Sequence, residues 1–270
     1  MSFVVRLQRP TESGWVSRCW AAIIAVYAVV PVVMVVIMAF TDGQFLDFPP
    51  AHFSIRWFDS IARSMRWRHA FESTLRLAIL ASSLSTLLAL SATLGLRGYR
   101  SKMTLRTIIM LPLIVPLIVT AFALVPFYTR VGLLGSVGGL VIVHALIALP
   151  FAFSVLADSA QSIDSSLERA AQSLGASWGY RVWRITLPLL LPGLISAFIV
   201  STVVSFDEVT ATLFLSHPST RTVPIEIWIA LGQDFSPRAA SASVIILAMN
   251  IAALSGGGLL SRWVASRGRK

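Results

Sequence analysis

The sequence is short of cysteine and of charge. A single cysteine, Cys19, excludes an internal disulfide. It stands at the start of a hydrophobic run, where a small buried thiol is expected. Only 13% of the 270 residues are charged, against about 25% in soluble chains. Acids are scarcer than bases, 12 against 22, which leaves a net charge of +10. The four histidines, His52, His69, His144 and His217, show no metal-ligand spacing. There is no Gly-x-x-x-x-Gly-Lys-Ser/Thr loop to cradle ATP phosphates and no His-Glu-x-x-His. Gly-x-Ser-x-Gly is missing too; Gly135-Ser136-Val137-Gly138 lacks the spacing. No internal repeat stands out. Nothing here supports catalysis, a metal site or a cofactor held by this chain.

What is abundant is apolar sequence: 56% of residues are hydrophobic and the mean hydropathy is +0.78. Six uncharged runs are long enough to cross about 30 Å of hydrocarbon at 1.5 Å per residue. They are Cys19–Phe40, Leu77–Leu96, Thr107–Thr129, Val131–Ala157, Ile185–Phe206 and Ala239–Ser261. The expected fold is therefore all-α, a polytopic membrane protein with six transmembrane helices. The first run exceeds the roughly 7–15 apolar residues of a cleaved signal, so it reads as a retained span.

Basic residues between the runs account for the net charge better than nucleic-acid binding does. One side holds Arg6, Arg9 and Arg18; Arg97, Arg100, Lys102 and Arg106; Arg169, Arg181 and Arg184; and Arg262, Arg267, Arg269 and Lys270. The other holds Arg56, Arg63, Arg66 and Arg68; Arg130; and Arg221 and Arg238. The balance puts both termini in the cytoplasm. In the first outer loop Ile55, Phe58, Ile61 and Met65 recur on one helical face, and Trp57 and Trp67 suit a headgroup level. An amphipathic helix on the outer surface is expected there; a docking patch for an external protein is the alternative.

Three prolines, Pro112, Pro116 and Pro126, predict kinks or breaks in the third run. Gly132, Gly135, Gly138 and Gly139 mark the turn into the fourth. His144 and Asn250 lie inside runs, where a hydrogen bond between helices is the commoner role and a ligand contact the other. Gly256–Gly258 suits close helix packing. The fifth run ends in Asp207 and Glu208, two carboxylates expensive at a span's end unless they face water or a partner. A solvated helix end and a cation site at the mouth or floor of an outward cavity both fit. Downstream, Glu226 and Trp228 on a short helix would offer a carboxylate and an aromatic face to an amine.

The longest polar insertion, Asp164–Pro188, cannot lie in lipid. Ser165 and Ser166 precede Glu168, as at a helix start with an acid in its first turn. Leu167, Ala170, Ala171 and Leu174 make one apolar stripe, and Gly175 suits a left-handed helix end. Trp178, Val182 and Ile185 make a second stripe on a second short helix, and Pro188 suits the first turn of the next.

This stretch resembles the EAA loop of type I binding-protein-dependent ABC importer permeases, which reads Glu-Ala-Ala, three residues, Gly, nine residues, Ile, one residue, Leu-Pro. Ala170, Ala171, Gly175, Ile185, Leu187 and Pro188 fall in register. Arg169 stands at the first position, with Glu168 one residue earlier. The resemblance implies a core over about residues 71–263 with a coupling loop at 158–187, preceded by residues 1–70 and followed by a basic tail, 264–270. It implies that Glu168, Arg169, Ala170, Ala171 and Gly175 dock a separate ATPase, which binds ATP and Mg. It implies as partners two ATPase subunits, a second permease subunit and an external binding protein, in a bacterial inner membrane. Phe206-Asp207-Glu208-Val209, Phe214-Leu215-Ser216 and Arg221-Thr222-Val223-Pro224 through Trp228 look like the spermidine/putrescine branch. Asp207, Glu208, Glu226, Trp228 and His144 would then line the substrate path. Branches for 4-aminobutyrate, 2-aminoethylphosphonate and ferric iron share parts of the pattern. The rival from another class is an ion-coupled secondary transporter with Asp207, Glu208 and His144 as relay, which would need no ATPase dock.

Overall fold

The computed structural model describes residues 14–96 and 102–267. Arg6, Arg9, Arg97, Arg100, Arg269 and Lys270, all used above for orientation, lie outside the described residues. Among the described residues the regular structure is helical, and one antiparallel bridge pairs Thr41 with Phe53.

Five helical segments are long and apolar enough to cross a bilayer. They are α1 (Gly14–Ala39), α3 (Met65–Leu96), α6 (Val137–Gln161), the continuous segment Trp178–Phe206, and α12 (Pro237–Arg267). The third apolar run is a broken pair, α4 (Lys102–Ile114) and α5 (Leu117–Arg130), bent by 93°, which makes a sixth crossing if the two halves are one span. Pro116 makes that break: its ψ of 123° is extended and turns the chain out of the helix. Pro112 and Pro126 lie inside α4 and α5 without ending either.

The second crossing starts at Met65, not at Leu77. Arg66, Arg68, Glu72 and Arg76 end the apolar run but not the helix, because long charged side chains are good helix formers. At 1.5 Å per residue α3 is roughly 48 Å long, so its first turns stand clear of a 30 Å slab. This corrects the reading of the first outer loop. The surface helix α2 covers only Arg56–Arg63, and Met65 and Trp67 belong to α3. Trp67 is buried in a cluster with Ile61, Val223 and Ile246 rather than at a headgroup level. Trp57 remains partly open, its ring N–H donating to the Gly43 carbonyl and its face covered by Arg56 and Arg238.

Gly132 and Gly135, with φ of 71° and 72°, make the turn before α6. Gly138 and Gly139 are already helical, so the fourth crossing begins later than the apolar run does. Cys19 is exposed, not buried, because α1 lies at the periphery along α12.

The centre is the packing of α3, α6 and the Leu187–Phe206 helix (α9), with α12 against α9. Small residues permit it. Ser85 and Ser201 hydroxyls meet at 3.5 Å. Gly193 sits against Ser159 and Gly257 against Ile199, each too close to admit a β-carbon without a shift. Such contacts suit helices in lipid, where close backbone approach replaces the hydrophobic drive. Hydroxyls of Ser82, Thr93 and Ser154 donate to carbonyls four residues back, so no polar group of theirs is stranded.

Candidate functional site

Two places carry the residues of interest: a polar hairpin at one end of the bundle, and an acid cluster nearer the other.

The hairpin begins with α7 (Ser165–Ser173), capped by Asp164, whose carboxylate accepts from the Ser166 N–H at 2.8 Å. Hydrogen bonds from Ser166 hold the Asp164 carboxyl below its usual range. The cap lies one residue earlier than the serines suggested, since a carboxylate satisfies the open N–H groups at least as well. Gly175 has φ of 82° and nothing near its would-be β-carbon, so the turn needs glycine for conformation and not for space. The second helix, α8 (Trp178–Arg181), is not separate. It runs through one wide π-turn, Val182–Thr186, straight into α9. The Leu187 N–H bonds to the Val182 carbonyl five residues back. Pro188 follows at once, and the widened turn gives its ring room that a regular α-turn would deny.

Glu168 is half-buried and accepts from the Thr186 hydroxyl at 2.6 Å. Arg181 donates to Gln172 at 2.8 Å, a second tie across the hairpin. Arg169 is exposed and bonds back to Ser165. Ala170 is exposed and Ala171 half-buried. The outer surface of the hairpin is apolar out of place: Leu174 is 89% exposed and Trp178 67%, with Leu167, Tyr180 and Trp183 also open.

At the other end of α9 the two adjacent acids part company. Glu208 is 6% exposed. It accepts from the N–H groups of Ala211 at 2.7 Å and Thr212 at 2.9 Å, and from the Thr212 hydroxyl at 2.6 Å. It thus caps the short helix α10 (Thr210–Leu215). His144 is 1% exposed. Its Nδ1 meets the Ser205 hydroxyl and its Nε2 the Thr212 hydroxyl, both at 2.8 Å. The Glu208 carboxylate lies 3.6 Å from His144 Nε2. Asp207 is exposed and accepts from the Asn250 side-chain amide at 3.1 Å.

These groups lie beside the interiors of neighbouring helices. His144 is seven residues past Val137, the start of α6, so roughly 10 Å along that helix. Asn250 is thirteen residues past Pro237, the start of α12, so roughly 20 Å along it. The neighbours run on past α9 because α10 folds back against α5 and α6 rather than leaving the bundle. Asp207 is therefore an exposed carboxylate at the end of α9, beside the middle of α12.

Glu226 and Trp228 do not converge. Both lie on α11 (Val223–Asp234), two residues apart, hence roughly 200° around it. Glu226 is 2% exposed and ion-paired with Arg66 of α3, with Arg221 at 3.9 Å. Trp228 is 59% exposed on another face. The two offer no joint cradle within this chain.

Residues 85–266 match the family described as binding-protein-dependent transport system inner membrane component. The chain belongs to that family.

This permease component is similar to the molybdenum transport permease ModB of Mycobacterium tuberculosis, 32% identical over 198 residues, which is 67% of this chain and 74% of that one. It is also similar to the spermidine/putrescine permease PotC of Escherichia coli, 22% identical over 238 residues, 87% of this chain and 90% of that one. Among solved structures, a bacterial alginate ABC transporter in complex with an alginate pentasaccharide-bound periplasmic protein matches with a TM-score of 0.67 at 17% identity. The match covers 94% of this chain and 99% of that one, and it shows the fold. Thr186, Ser205, Thr212, Arg66 and Arg221 are the partners of Glu168, His144, Glu208 and Glu226, pairings the sequence did not show. Hydroxyls in apolar runs give no pattern signal; Arg66 becomes a partner of Glu226 only once α3 and α11 pack together, and Arg221 reaches it from the turn just before α11.

Proposed function

We propose that this chain is the membrane subunit of an ATP-driven importer that carries a small organic cation, a polyamine such as spermidine or putrescine being the first candidate. The hairpin carries the docking half of this reading. Five large apolar side chains stand open on the hairpin, Leu167 and Leu174 on its first arm and Trp178, Tyr180 and Trp183 where its second arm runs on into α9. An exposed apolar patch of this kind fits a protein partner, here a separate ATPase that binds ATP and Mg, with the hairpin and both termini in the cytoplasm. Glu168, Arg169, Ala170, Ala171 and Gly175 belong to the hairpin that couples the ATPase to the spans. A second permease subunit and an external binding protein complete the assembly.

Asp207 supports the cation half. A charge exposed at the end of one span, beside the middle of a neighbouring helix, is costly unless it faces a water-lined path or a partner subunit, and an amine would offset it. Glu208 and His144 support the path from behind by fixing α10. Glu226 holds α11, and Trp228 faces outward, where the binding protein or second permease would meet it. A second reading, molybdenum as cargo, is favoured by the 32% identity to ModB. Uptake of labelled spermidine, putrescine and molybdate, in cells with and without this permease, tests the choice. Loss of polyamine uptake alone supports the cation. Loss of molybdate uptake alone replaces it with the anion.

A further inference from the structure

The hairpin and α9 share more than a chain connection. Glu168 in the first turn of α7 and Thr186, the last residue of the π-turn, are joined by a 2.6 Å hydrogen bond across eighteen residues. Thr186 is buried. Gln172 and Arg181 add a second tie one turn further along α7. On its other side the hairpin stands apart from the end of α3. A cavity of about 510 Å³ opens there, with Leu94 and Gly95 of α3 on one wall and Glu168, Arg181 and Thr186 on the other. The hairpin is thus fastened to α9 and spaced from α3. The π-turn itself carries the first of these bonds at its last residue, and it joins α8 to α9 through a locally widened ladder just before Pro188.

We propose that Glu168 is a positioning residue. Its bond from Thr186 clamps α7 to the foot of α9, so that a displacement of the hairpin moves the helix whose far end carries Asp207. On this account the acid beside Arg169 acts inside the chain and the ATPase meets the exposed side of the hairpin. The inference rests on the importer reading above.

The test uses the whole complex in proteoliposomes, with transport and ATP hydrolysis measured together. Thr186→Val keeps the shape and removes the donor; Glu168→Ala removes the acceptor. Both should lower substrate moved per ATP hydrolysed by about tenfold, the scale of one hydrogen bond to a charged group, while the ATPase still co-purifies. Glu168→Gln and Thr186→Ser keep an acceptor and a donor in place and should restore the ratio. An unchanged ratio in Thr186→Val overturns the clamp. So does release of the ATPase by Glu168→Ala when Thr186→Val retains it, since Glu168 would then be a docking contact. Failure of the importer reading shows differently: the unmodified complex would bind no ATPase or move nothing on ATP.

Discussion

Removing the Glu208 side chain should damage the fold, whereas removing the neighbouring Asp207 side chain should not. In Glu208→Ala three hydrogen bonds to one carboxylate vanish, at 2.6, 2.7 and 2.9 Å. The N–H groups of Ala211 and Thr212 lose their acceptor in a site that water does not reach, at about 1–3 kcal/mol each. These losses are not additive, and a net cost of about 3–5 kcal/mol is expected, in the range for breaking a buried charged contact. At this chain length about 1 kcal/mol shifts the melting temperature by roughly 2–4 °C. The Glu208→Ala protein should therefore melt roughly 10 °C lower. Glu208→Gln should fall between, since its amide can accept one N–H but turns a donor towards the other. Asp207→Ala loses only a bond to Asn250 on an exposed face and should stay within about 1 kcal/mol of the parent. The assay is thermal unfolding in detergent, followed by fluorescence of the eight tryptophans. Equal melting of Glu208→Ala and Asp207→Ala would refute the capping role and the separation of the two acids.

Further outcomes follow from the same geometry. Asp207→Asn should cut uptake of a polyamine by roughly ten- to a hundredfold, the loss of one charge-assisted bond, with ATPase co-purification unchanged; normal uptake would make Asp207 a bystander. Gly175→Val forces a β-branched residue into φ of 82°, at about 1–2 kcal/mol, and should abolish transport and weaken ATPase docking in a protein that still inserts. Gly257→Val should separate α9 from α12, because a β-carbon there would lie 1.6 Å from the Ile199 Cδ1, and Ile199→Ala should relieve it. Gly256→Ala and Gly258→Ala, with nothing near, should be silent in the same melting assay. A cysteine at Ser177 should react with a membrane-impermeant thiol reagent only from the cytoplasmic side; labelling of intact cells from outside would invert the topology.

Five crossings were legible because lipid leaves a strong mark: an uncharged run of spanning length reads as one span wherever the helix begins, whereas the third run reads as one span and folds as two helices. Where helices begin and break was less legible. Arg66, Arg68, Glu72 and Arg76 hide three turns of α3 because they end the apolar run without ending the helix. Three prolines in the third run look alike, yet only Pro116 takes an extended ψ. The hairpin was visible down to its glycine, since a left-handed helix end demands that residue. The π-turn was not, because Val182–Thr186 has ordinary helix-compatible residues and only the ring of Pro188 makes the wide turn favourable. Asp207 and Glu208 are adjacent and chemically alike. What separates them is the break after Phe206, which turns Glu208 into the open N–H groups of α10 and leaves Asp207 outside, and nothing local in the sequence announces it.

The most direct test of the account is ATP-driven import through the assembled complex. The permease would be purified with its neighbouring subunits, set in proteoliposomes with a known orientation, and supplied with ATP on the hairpin side and binding protein on the other. The account predicts that an ATPase co-purifies through the hairpin, that it is lost in Gly175→Val, and that spermidine or putrescine accumulates only when ATP and binding protein are both present. Accumulation driven by a proton or sodium gradient, without ATP and without an associated ATPase, would contradict it.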